Sequence, residues 1–188
     1  MKKFSLLIIC LLAFTFNPVT THAQLRIKII GGLIYINDGS VTHNEKKYAG
    51  LTDSLDKNLK INPKDTTSLF YRALLYLTFN NLMVKPYQRA DGTLENLTIA
   101  KNMVEKADSL NIKTFNLKIL RAEIYRELTY RFSGDQSWMF NNKQKADRRV
   151  LFNNYKALAN KYYDELAQLD SHNAYDYQKL KINYAYPL

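Results

Sequence analysis

Few side chains in this sequence have both the type and the spacing for bond-making chemistry. His43 and His172 are the imidazoles beyond the N-terminal segment, far apart and set beside a helix start and in a turn. Glu123 and Glu127 are one helical turn apart and could work as a carboxylate pair. Arg126 and Arg131 stand beside them, however, and an ordinary ion-paired helix face accounts for all four. No H-E-x-x-H, Gly-rich phosphate loop or Gly-x-Ser-x-Gly occurs. Arg148-Arg149 could meet phosphate or lipid headgroups, and reads more simply as a solvated face. The chain is therefore not expected to be an enzyme, and no catalytic residue, metal or cofactor is assigned to it.

Residues suited to non-covalent recognition are easier to find. Lys85, Tyr87 and Arg89 share one breaker-rich stretch, residues 81–92, interrupted by Pro86 and Gly92. Trp138, Met139 and Phe140 share another, 132–142, and Trp138 is the single tryptophan. Trp, Tyr and Arg dominate interface hot spots, so both stretches are candidate partner-binding loops. The competing account of 138–140 is that apolar loop residues fold back to close a helix end. Fourteen tyrosines invite a carbohydrate-stacking reading, but helical spacing explains most of them as core residues with a polar tip.

The N-terminus reads as an export signal. Lys2 and Lys3 precede an apolar run from Phe4 to Phe16, and Thr21-His22-Ala23 has the small residues of a cleavage site. The run is too short for a comfortable membrane span. Cys10, the single cysteine, lies inside it rather than at its end, which argues against lipid attachment. Cleavage after Ala23 would take 23 of 188 residues and leave 165, one domain able to bury a core without disulfide or zinc–thiolate help. The remaining 25 basic and 17 acidic residues give +8. Acidic partners or an acidic envelope surface suit that balance. Nucleic acid does not, because the basic residues are interleaved with acids rather than gathered in a stripe. A periplasmic or secreted bacterial protein is the expectation.

The elements that would position these residues are helices. Pro63 stops one helix, Asp65 or Thr66 can cap the next, and Leu69, Ala73, Tyr76 and Leu77 then share a face. Further helices are expected over about 93–110, 114–131 and 143–169, with a last one from Ser171 through Tyr186. Thr42-His43-Asn44-Glu45 has the form of a capping box opening a helix to about Ile61. Residues 25–37 have two readings. Gly31-Gly32 could turn a β-hairpin between RIKII and LIYIN, or Gly32-x2-Tyr35 could belong to a helix ended by Asp38-Gly39. The helix is preferred because the rest of the chain repeats that pattern.

The repeat is the informative feature. Leu69-x2-Arg72-Ala73-x2-Tyr76 returns as Arg121-Ala122-x2-Tyr125 at an offset of 49, shared by Asn62 and Asn111. Ala100-x3-Val104-x2-Ala107 has degenerate counterparts in Leu51-x3-Leu55-x2-Asn58 and Ala159-x3-Tyr163-x2-Leu166. These stretches resemble the tetratricopeptide repeat (TPR), whose first helix carries W-x2-L-G-x2-Y and whose second carries small and aromatic residues before a proline. Tyr35, Tyr76, Tyr125 and Tyr184 would mark four first helices. Their spacings of 41, 49 and 59 exceed the family's 34.

The resemblance implies an all-α array of antiparallel helix pairs, about three pairs plus a C-terminal cap, acting as a protein- or peptide-binding module. It places Ile29, Leu33, Phe70, Leu74, Ile119 and Glu123 on an inner groove, and puts both long loops on one rim. The groove could instead be filled by the array's own helix over 143–169. The alternatives to a scaffold are an inhibitor or immunity-type protein directed at a toxin or enzyme, and a glycan binder using the Trp138 loop.

Overall fold

The computed structural model describes residues 25–39, 45–83, 92–133 and 137–187. The expected signal at 1–23, the Thr42 and His43 end of the capping box, and Lys85, Tyr87 and Arg89 lie outside these residues. Six α-helices dominate: α1 (Ala49–Ile61), α2 (Thr66–Met83), α3 (Thr93–Ser109), α4 (Phe115–Arg131), α5 (Asn142–Leu169) and α6 (Ala174–Leu180). They form an all-α array in which each helix packs on the one before it, most extensively α2 on α3 and α4 on α5. Among the described residues no helix is long and apolar enough to cross a membrane.

Local chemistry explains the boundaries. The backbone N–H of Leu69 bonds to Asp65 O (2.9 Å), and the Asp65 carboxylate accepts from Ser68 Oγ (2.5 Å), which secures the α2 start after Pro63. Thr114 caps α4 by accepting from Leu117 N (3.4 Å). Asn141 and Gln144 form a reciprocal capping box at α5, at 2.9 and 3.0 Å. Asn111, following α3, sits at φ +64°, a left-handed position that asparagine tolerates.

The small-residue lines pack as their spacing predicts. Ala100, Val104 and Ala107 on α3, and Ala159, Tyr163 and Leu166 on α5, have no measurable exposure. The polar Asn58 on α1 is half-buried and reaches Ser68 Oγ at 3.4 Å, a long contact.

Two expected helices are corrected. Residues 25–37 are not helical: β1 (Ile27–Ile30) and β2 (Leu33–Ile36) form a two-stranded antiparallel hairpin, Ile30 opposite Leu33 and Ile27 opposite Ile36. Gly31 and Gly32 have φ of +56° and +79°, the paired positive values that a two-residue hairpin turn demands. The β-branched Ile27, Ile29, Ile30, Ile34 and Ile36 suit strands better than a helix. Tyr35 therefore lies on a strand and marks no first helix. At the other end, α6 stops at Leu180, so Tyr184 is in an extended tail. That tail is held to α5 by a pair of bonds between the Asn160 side chain and the Ile182 backbone, at 2.8 and 2.9 Å. Ser171 does not cap α6. Asp170 organises that turn instead, accepting from Asn173 Nδ2 (2.9 Å) and Tyr177 Oη (3.1 Å).

Candidate functional site

The repeated Arg-Ala-x2-Tyr pattern builds inter-helix joints. Arg72 on α2 reaches back sixteen residues to Asp56 on α1 with Nε at 2.8 Å and Nη2 at 3.3 Å, and its guanidinium lies 4.0 Å from the Tyr76 ring centre. Arg121 on α4 reaches back sixteen residues to Glu105 on α3, with Nε at 2.8 Å and Nη2 at 2.6 Å. It also meets Asp108 at 3.1 Å and lies 4.3 Å from the Tyr162 ring centre on α5. Tyr125 Oη donates to Glu105 at 2.9 Å, and burial together with that carboxylate pushes the phenol pKa up. Lys181 repeats the design on Asp164 of α5, at 2.8 and 2.9 Å. The acid partners were in the sequence at the same offset of 49, Asp56 to Glu105, and are the signal that could have revealed these joints.

On the other side of α4 lie the expected groove residues. Leu74 on α2 and Ile119 on α4 are fully buried core residues, and Phe70 is half-buried. What covers this side is the hairpin. The backbone N–H of Ile34 donates to Glu123 Oε2 at 3.0 Å, and Ile34 and Ile36 are buried in the same core as Leu74 and Ile119. A methyl group on Gly32 would come within 2.9 Å of Leu180 and 3.0 Å of Tyr177 on α6, so the turn is pressed against that helix. Leu74, Ile119 and Glu123 are therefore not open to a peptide. The hairpin shares this core with α5, whose fully buried Tyr163 lies in the electrostatic field of Glu123. Ile29 and Leu33 likewise sit on the strands rather than on a first helix.

Of this set, Ile29 is exposed and Phe70 and Leu33 are half-buried. Phe70 faces open space on α2. It borders a cavity of about 400 Å³ with Tyr71, Ile27 and the first residues of α2 and α4.

Glu123 is 5% exposed, and its carboxyl pKa is raised from 4.5 to about 7. Loss of water is the main cause, and the Glu127 charge adds to it. The Ile34 N–H and the nearby Arg126 pull the other way. Glu127 lies one helical turn from it. It pairs with Arg131 at 2.6 Å, and Arg131 also donates to Asn80 O at 3.2 Å.

The loop residues divide. Trp138 is 81% exposed on a 3₁₀ turn, Ser137–Met139. Met139 and Phe140 are half-buried. The Arg148 guanidinium lies 4.2 Å from the Phe140 ring centre and 4.7 Å from that of Phe132, which fastens the loop to α5. Arg149 lies 5.7 Å from the Tyr186 ring. The Arg131–Asn80 bond brings the end of α4 beside the last turn of α2.

No family model, curated protein or solved structure matches the chain.

Proposed function

We propose that the chain is an exported bacterial envelope protein of TPR-like design that binds another protein along the rim carrying Trp138. The observation that carries this reading is the contrast between that residue and the groove. Trp138 is held out on a turn tied down by Phe140 and Arg148, whereas Leu74 and Ile119 are sealed beneath the hairpin. A large aromatic on a fixed support loses little freedom on binding, which is the usual economy of an interface anchor. The positive charge of the chain favours an acidic partner surface.

A crosslinked pull-down from the envelope fraction tests the reading, with Trp138→Ser beside the unaltered protein. Trp138 has no burial to lose, so the variant should keep its helical circular dichroism. Loss of a stoichiometric partner supports the rim. Retention by both baits moves the site away from Trp138, and absence of any partner overturns the interaction reading.

A further inference from the structure

A second cleft lies between α4 and the segment leaving α6. It encloses about 300 Å³ and is lined by Arg126, Glu127, Tyr130, Lys179, Lys181 and Tyr184, together with Leu180 and Ile182. That volume is at the lower end of small-molecule sites. Its charges are unevenly satisfied. Lys181 is taken up by Asp164 and Glu127 by Arg131. Arg126 and Lys179 have no carboxylate at ion-pair distance among the described residues; the Lys179 ammonium rests 4.2 Å from the Tyr175 ring centre. Arg126 Nε is buried and has no hydrogen-bond acceptor among them. Glu123 shares its electrostatic field but is turned to the Ile34 N–H, and the neutral Tyr163 phenol lies beside the guanidinium.

We propose that this cleft binds a small organic anion, a carboxylate or phosphate on a compact ring, with Arg126 and Lys179 facing the charge and Tyr130 and Tyr184 facing the body. A guanidinium presents parallel donors that match either anion. Tyr130 and Tyr184 are both exposed and offer ring faces beside hydroxyls. An acceptor entering here would balance two cations that the fold leaves unneutralised. The existence of this site does not depend on the partner-binding reading.

The test is an amide NMR titration with phenyl phosphate, benzoate, inorganic phosphate and neutral phenol. The two ring anions should give saturable shifts confined to 179–184 and the 126–130 turn of α4. Their ranking tells phosphate from carboxylate. Inorganic phosphate should move the same resonances more weakly, and phenol should not move them. Arg126→Gln should weaken the preferred anion at least about tenfold, and the exposed Lys179→Gln should weaken it less. Arg126→Lys should recover part of the loss. If Arg126→Gln loses its native spectrum, Lys179→Gln carries the decision. No saturable shift with either ring anion overturns the proposal, as does unchanged affinity in a folded Arg126→Gln or, failing that, in Lys179→Gln.

Discussion

The two sides of α4 treat a carboxylate in opposite ways. On one side Glu105 meets the Arg121 fork and the Tyr125 hydroxyl, all partly open to water. On the other, Glu123 is enclosed beside the hairpin and accepts from the Ile34 backbone N–H, and its pKa climbs to about 7. Burial with one neutral donor leaves a carboxylate close to neutral. The first side is built to hold helices together by charge, and the second to accept a cover that charge would loosen.

The sharpest way to break this contrast is the pH dependence of stability. Because the folded pKa of Glu123 lies above its unfolded value, the folded state holds the proton more tightly. Its contribution is complete below about pH 4.5 and is lost as pH rises through about 7. The full loss is about 3 kcal/mol. Urea melts of Glu123→Gln across this window should lack that decline and should leave the variant the more stable form at pH 8. An unchanged slope would mean that Glu123 is solvated and the hairpin is not seated on it.

Gly32→Ala should be next, at about 2 kcal/mol, since the added carbon meets both a positive φ and the side chains of Leu180 and Tyr177. Gly31→Ala, with the same sign of φ and open space, should cost about half as much in the same chemical melts.

On the charged side, Arg121→Ala should cost about 1.5 kcal/mol, because it strands Glu105 and Asp108 and removes the contact with Tyr162. Arg72→Ala should cost less, about 1 kcal/mol or below, since its one acid partner, Asp56, is well exposed. Thermal denaturation of the two variants in low and high salt tests the order. Equal losses would mean that the second joint gains nothing from its second acid, Asp108.

Much of the array was legible from Pro63, the alanine lines and the apolar spacing of 69–77, because those signals are local and helical. The hairpin was misread for an instructive reason. Gly31-Gly32 and the isoleucines are a strong local strand signal, but Gly32-x2-Tyr35 also fits the longer-range repeat, and the two point to opposite structures. Tyr184 poses the same difficulty, because its spacing after the Ser171 turn matches that of the helical Tyr76 and Tyr125 although the chain there is extended. The fate of Glu123 was not legible at all. A single acid at that position reads as groove-lining until the covering strand is known. Trp138 was legible as a candidate, while the stacking of Arg148 on Phe132 and Phe140 was not, since it depends on how the loop returns to α5.

The hairpin bears on the order in which the molecule can assemble. Ile34 and the carboxylate that receives it are 89 residues apart in sequence, and the Gly31-Gly32 turn rests on α6 near the other end of the chain. Helix pairs close short loops and form early. A contact of this span must wait for both partners, and its loop-closure cost falls on the last step. Among the described residues, the first to leave the ribosome would be among the last to find their place. Until then α4 would stand uncovered, so the seating of this small strand pair would set the moment at which the fold becomes complete.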